Sequence, residues 1–335
     1  MSVLRITEEG LSEAVASPGT MLAEGQPQRV RSLWGDAFHK LLRNRLSIVG
    51  LVITSLLLLT AIFGPGLAPY SYTQQDLLRP AELPSRDHWL GTDELGRDMF
   101  TRIIYGARTA VLVAIFSTTL SVILGLLIGT VAGYSGKLTD ALIIRITDVV
   151  MSIPSLLLAA MIAATLKQPI TQWARSVYAQ TRWSFLANTS WLDLVIVFGG
   201  LAFVTWPAYA RLIRGQILSL REKEYVEAAR AVGVTGRGIA LRYLLPNGLG
   251  PIIVFMTFSL SSAMVLESSL SFLGIGVMPP QASWGNMIQS NIGSWSYRPW
   301  LVAVPAATLA IVTLGINFLG DGLNDALNPR SSKSI

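Results

Sequence analysis

Asp148 and Glu267 each stand in or beside a long apolar stretch. Two carboxylates in such surroundings can share acid–base work, provided that they converge. Arg145 lies three residues before Asp148, on the same face of a helix, where the two side chains can pair with each other instead. A metal centre has little to draw on. The 335 residues include no cysteine, and the only histidines, His39 and His88, fall in different regions. "GYSGKLT" (Gly133 to Thr139) comes near the phosphate-binding pattern G-x-x-x-x-G-K-[ST] and fails it twice. Leu138 follows Lys137 where a hydroxyl residue is required, and Val131 stands in place of the first glycine. ATP is therefore not bound by that device.

The elements that carry these residues are apolar and long. Charged residues make up 14% of the chain, against about 25% in a soluble domain. Six stretches approach the roughly 20 residues needed to cross a hydrocarbon core. They are Leu46 to Phe63, Thr109 to Ala132, Val149 to Leu166, the short Leu194 to Tyr209, Leu249 to Val265, and Trp300 to Leu319. The pattern predicts an all-α integral membrane protein with six spans. Asp148 and Glu267 then fall near opposite faces of the membrane, which argues against a shared catalytic site. Gly125, Gly129 and Gly133 form a small-x-x-x-small series in the second stretch, suited to close helix packing within the subunit.

The net charge of +6 is not spread evenly. Arg29, Arg31, Lys40, Arg43 and Arg45 precede the first span, and Arg211, Arg214, Arg221, Lys223, Arg230, Arg237 and Arg242 follow the fourth. Basic segments stay inside, so both termini are expected to be cytoplasmic and the loop from Pro65 to about Arg102 external. Lys167, Arg175 and Arg182, between the third and fourth spans, run against this rule. No base-reading or stacking surface accompanies the positive charge, which excludes nucleic acid as the partner. Residues 1 to 28 read as a polar cytoplasmic tail. Leu33 to Arg45 is either a helix on the membrane surface or a basic flank that orients the first span.

One polar segment stands out, "REKEYVEAARAVGVTGRGIALRYLLPN" (Arg221 to Asn247). Glu227, Ala228 and Ala229 lie in a good helix former. Gly233 stands where that helix should end with positive φ, and Pro246 suits the first turn of the next. Two helical pieces and a sharp elbow, with small alanines and an exposed glutamate, make a docking knob. Glu227-Ala228-Ala229, three residues, Gly233, and then Leu245-Pro246 resemble the EAA loop of ABC-importer permeases. "HWLGTDELGRDMFTRIIYGARTA" (His88 to Ala110), "RITDVVMSIPSLLLA" (Arg145 to Ala159), "LESSLSFLGIGVMPPQASWGNMI" (Leu266 to Ile288) and "NFLGDGLNDALNPR" (Asn317 to Arg330) resemble the dipeptide/oligopeptide/nickel group of that family, in the same order. "FHKLLRNRLSIVGL" is similar to its N-terminal lead-in. The likeness covers residues 38 to 330 and is nearest to the second, C-type permease of such systems. The stretch Lys167 to Ser190 is longer than the family leads one to expect, and Tyr243 replaces a frequent histidine.

The resemblance implies a type I ABC-importer permease fold working by alternating access. Its parts would be a tail and interfacial helix (1–45), the first span and periplasmic loop (46–102), a permease core (103–320) with the coupling loop at 222–246, and a cytoplasmic tail (321–335). It implies the bacterial inner membrane as location. The implied partners are a second permease, two cytoplasmic ATPases, an external substrate-binding protein and the lipid bilayer. ATP and Mg would be used by the ATPases, and this chain would bind no cofactor and perform no chemistry. Glu227, Ala228, Ala229, Gly233, Val234, Thr235 and Gly236 would meet the ATPase. Peptides are the implied substrate, with nickel or another small solute as the alternative.

Glu267 has two readings, a group on the substrate path or an anchor for helix packing, and the second is preferred. A secondary transporter using Glu267 as proton carrier would need no docking loop. Asp93 to Arg108 reads as an interfacial helix or a contact for the binding protein. Pro279 to Met287 reads as a re-entrant external loop.

Overall fold

A computed structural model of the chain describes residues 33–186 and 190–327. The polar tail at 1–28 and the end of the C-terminal tail lie outside the described residues. Among the described residues the chain is helical and has no strand beyond one isolated bridge between Thr92 and Asp98. The helices are α1 (Leu33–Leu41), α2 (Arg45–Leu67), α3 (Met99–Tyr134), α4 (Lys137–Met151), α5 (Ser155–Thr181), α6 (Ser190–Leu220), α7 (Glu224–Ala231), α8 (Gly236–Ile239), α9 (Leu245–Phe272), α10 (Trp284–Asn291) and α11 (Trp300–Leu327). Five are long and apolar enough to cross a membrane, those at α2, α3, α6, α9 and α11.

The third span is not a single straight helix. Val149 to Leu166 straddles a break between α4 and α5, which are bent by 85°. Pro154 sits at the break. It lacks an N–H and pushes the preceding Ile153 away from helical geometry, so the α4 ladder ends at Met151. Hydropathy registers the apolar content on both sides of this proline and is blind to the turn.

Side-chain caps set the helix starts. Asn44 Oδ1 accepts from the Leu46 N–H at 3.0 Å to open α2, and Asp98 Oδ2 accepts from the Thr101 N–H at 2.7 Å to open α3. Asp98 thus begins α3 well before the apolar run at Thr109, and its 36 residues reach about 54 Å, beyond a core of ~30 Å. The added turns belong to a folded cap. Arg97 donates to Asp93 at 2.6 Å, Arg102 approaches Asp93 at 3.7 Å, and His88 Nδ1 lies 2.9 Å from Asp98 Oδ1, all of them buried. Asp93, Arg97, Asp98 and Arg102 therefore find their partners inside the cap, while Glu94 and Arg108 of the same segment are exposed.

Packing between α3 and α6 forms the centre of the bundle. A Cβ on Gly129 would stand 2.5 Å from the Ala210 carbonyl oxygen, and one on Gly133 would stand 2.9 Å from Ile217 Cβ. On Gly125 it would fall onto Tyr209. The small-residue series is a backbone-to-backbone seam inside the subunit. Arg211 bonds to Asp148, and Arg214 holds Asp140 through Nε and Nη2, with Nη2 2.6 Å from Oδ2. These pairs pin α4 across the end of α6, so Asp148 is paired with Arg211 and not with Arg145. Asp140 and Arg214 are about three-quarters shielded. We expect a double-mutant cycle with Asp140→Asn and Arg214→Gln to show a coupling of about 1 kcal/mol or more in thermal unfolding of the solubilised protein.

Candidate functional site

The elbow that follows α6 is built from α7, a turn, α8, a π-helical stretch at Ala240–Leu244, and α9. Glu224 and Glu227 occupy the first turn of α7 and Arg230 its last, each sign matching the helix dipole. The helix then closes in a Schellman motif. The Gly233 N–H donates to the Arg230 carbonyl at 2.9 Å and the Val234 N–H to the Ala229 carbonyl at 3.0 Å. Gly233 has φ +84°, and a Cβ there would meet no atom within 4 Å. What this position requires is backbone freedom and not space. Thr235 opens α8 by accepting from the Gly238 N–H at 3.4 Å.

One face of the elbow is anchored. Val226, Ala229, Ile239 and Leu244 are buried against Tyr209, Ile213 and Ile217 of α6. The opposite face is open at Glu227, Ala228, Ala231 and Gly233, and Val232 is 84% exposed. Of the residues singled out from sequence, Glu227, Ala228, Gly233 and Thr235 are exposed, and Val234 and Gly236 are half-buried. Ala229 faces inward at 7% exposure, where its small side chain sets how closely α7 approaches the bundle. Gly236 lies under Tyr134, whose hydroxyl would be 2.7 Å from a Cβ. Beside the elbow, Tyr134, Arg221, Glu222 and Arg230 line a cleft of about 520 Å³. Sequence reading missed the anchor. The spacing of Val226 and Ala229 by three was its only local signal.

The elbow thus has a buried apolar root and an exposed tip that mixes Glu227 and Arg230 with Ala228, Ala231 and Val232. Its root shares one core with residues of α3, α6 and α9.

Glu267 lies near the other end of α9, at 1% exposure. Its carboxylate accepts from the hydroxyls of Ser271 (2.6 Å), Ser283 (2.7 Å) and Ser268 (3.3 Å). Ser283 is the N-cap of α10 and forms a capping box with Asn286, whose side-chain oxygen lies 3.4 Å from Arg102 Nη2. The stretch from Ala282 to Met287 is buried, with Trp284 seated on Gly106. Glu267 therefore ties the α9 end to α10 and, through Asn286, to α3. Asp148 and Glu267 hold separate partners, and no described contact joins them. Glu267→Ala would strand buried hydroxyls, each at a cost of about 1–3 kcal/mol. We expect the solubilised protein to unfold at clearly lower temperature, with Glu267→Gln retaining most of the stability.

Comparison with known proteins places this architecture. Residues 125–333 match the family described as binding-protein-dependent transport system inner membrane component, and residues 32–84 match the N-terminal TM domain of oligopeptide transport permease C. The oligopeptide transport system permease protein OppC of Bacillus subtilis is 34% identical over 311 residues, covering 93% of this chain and 94% of that protein. The dipeptide transport system permease protein DppC of Alkalihalophilus pseudofirmus is 38% identical over 299 residues, covering 89% and 90%. DppC of Bacillus subtilis is 36% identical over 300 residues, covering 88% and 85%.

Proposed function

Because this chain belongs to the family of binding-protein-dependent transport system inner membrane components, we propose that it is a permease subunit of an ATP-driven peptide importer. The observation that carries the reading is the elbow. It has a buried root on α6 and a tip at which Glu227, Ala228 and Gly233 are exposed among the described residues. The basic residues from Arg211 to Arg242 support a cytoplasmic location for this end. A cytoplasmic ATPase would receive the tip there. ATP-driven closure of two ATPase subunits would rock the elbow, and the root at Tyr209, Ile213 and Ile217 would transmit that movement to α6 and α3. ATP and Mg would be consumed in those subunits.

A second permease completes the pathway. α4 is pinned to α6 by Asp140 and Asp148, while Leu138 (89% exposed), Leu142, Ile146 and Val149 form an uncovered apolar row on its other side. Because α4 lies bent away from α5, this row fits a protein partner better than a simple lipid-facing stripe. Peptides are the substrate class, from the named relatives, and a separate binding protein would deliver them on the opposite side of the membrane. Glu267 acts in this account as an anchor for the loop at that mouth, because three hydroxyls satisfy it.

Purification of the tagged chain from its native membrane in mild detergent tests the assembly. Mass spectrometry is expected to identify a second permease and ATPase subunits in the eluate. A chain recovered alone, under conditions that keep other membrane complexes together, would contradict the proposal.

A further inference from the structure

Beyond the end of α2, the chain folds a small cleft against the first turn of α3. Tyr70, Arg86, Asp87, Trp89, Asp98 and Phe100 line it, around a volume of about 280 Å³. Ring contacts stiffen its walls. Tyr70 lies 4.8 Å from His88 and Trp89 lies 4.9 Å from Phe100, centroid to centroid. The Tyr70 hydroxyl donates to the Asp87 carbonyl at 3.0 Å. Asp98 is buried, with its oxygens held by His88 and the Thr101 N–H. Arg86 and Asp87 are exposed. Arg86 enters no ion pair among the described residues, and Asp87 reaches Arg79 only at 3.9 Å.

The depth of the cleft follows from how α2 and α3 meet. The Tyr105 hydroxyl donates to the Pro65 carbonyl at 3.4 Å, and a Cβ on Gly64 would stand 2.5 Å from Ile104. Residues 104 and 105 of α3 are thus level with the end of α2, where the apolar stretch runs out at Phe63. Phe100 lies about 7 Å further along α3, at the height of the lipid headgroups. Tyrosine and tryptophan favour that layer. Below it, Leu59, Ile62, Phe63 and Leu67 form one exposed apolar face of α2, with Leu67 79% exposed. Tyr134, at the other end of α3, lies over Gly236 of the elbow. The cleft therefore opens in the leaflet away from the elbow.

We infer that this cleft is a binding site for the headgroup of a zwitterionic aminophospholipid, of the phosphatidylethanolamine type. Asp87 and the ring faces of Tyr70 and Trp89 would hold the ammonium, and Arg86 the phosphate. Two carboxylates against one guanidinium disfavour a purely anionic headgroup. The volume falls below the roughly 300–1,000 Å³ of a pocket for a drug-sized ligand, which suits a headgroup better than a whole peptide. The α2 face beneath would receive the acyl chains. Only the membrane placement of α2 and α3 is needed for this, and the importer reading is not.

The test uses the full-length chain in mild detergent, with bound lipid counted by native mass spectrometry. Phosphatidylethanolamine and phosphatidylglycerol with the same acyl chains are offered in equal amounts. Wild type is expected to bind its first phosphatidylethanolamine about tenfold more tightly than phosphatidylglycerol. Arg86→Gln with Asp87→Asn should lower that affinity about tenfold, and Trp89→Ala about fivefold. Asp87→Lys should turn the preference toward phosphatidylglycerol, a change that loosened packing alone does not produce. These three side chains are exposed, so the unfolding temperature should hold. An excess of dialanine should leave the bound lipid in place. Equal binding of the two lipids by wild type, or a preference that none of these substitutions alters, would overturn the inference. So would displacement by dialanine, which would make the cleft a peptide subsite.

Discussion

A valine at position 233 is expected to leave the importer assembled in the membrane and to lower peptide uptake at least tenfold, while ATP hydrolysis continues without transport. Gly233 holds φ +84° at the end of α7, and both Schellman hydrogen bonds depend on that conformation. The left-handed region costs an ordinary L-residue roughly 1–2 kcal/mol, and more for a β-branched one. Since 1.4 kcal/mol is a factor of about ten in an equilibrium, the native turn would become a minor state of the elbow. The root at Val226, Ile239 and Leu244 is untouched, so insertion and packing should persist. With open space around a Cβ at 233, the loss should follow backbone preference and not size. Asparagine, which tolerates the left-handed region, should retain far more uptake than leucine of similar bulk. Proteoliposome uptake of a labelled dipeptide, measured beside phosphate release, checks this order.

Leucine at position 125 should have the larger effect on the protein itself. A Cβ there falls onto Tyr209 and crowds the backbone of Ala210, so α3 and α6 must separate. No flexible side-chain end is available to yield. Overpacking commonly costs about 1–3 kcal/mol, and a forced separation of the central helix pair belongs at or above the upper end. Folded protein recovered from membranes is expected to drop to a small fraction of wild type. Gly199→Leu is the matched control, because that glycine of α6 has no atom within 4 Å of a Cβ. Equal yields for the two variants would show that the α3–α6 seam does not hold the bundle.

Much of this was legible in the residues, and what was not has a common cause. The apolar runs placed the five long spans, because crossing hydrocarbon imposes a length that no local accident reproduces, whereas the expected third is a pair of helices bent by 85°. The elbow could be placed from Glu227-Ala228-Ala229, Gly233 and Pro246, because capping chemistry acts over a few neighbouring residues. Pro154 was visible in the sequence, yet a proline inside a long helix and one at a break look alike there. Pro65, Pro207, Pro251 and Pro305 all sit inside helices. Pairings between distant residues left no local trace. Asp148 meets Arg211 in place of its helical neighbour Arg145, and Glu267 finds Ser283 on another element. The inward turn of Ala229 likewise follows from α6, far from it in sequence.

The most direct test is whether the elbow tip touches the ATPase. The chain contains no cysteine, so a single introduced thiol reports from one place. Ala228→Cys in the assembled importer, carrying a short photo-reactive maleimide, is predicted to cross-link to an ATPase subunit with a yield that changes when ATP binds. Trp295→Cys, exposed beyond the opposite end of the bundle, should give no such product. An active importer in which Ala228→Cys never cross-links to an ATPase, whatever the nucleotide, would contradict the coupling role of the elbow.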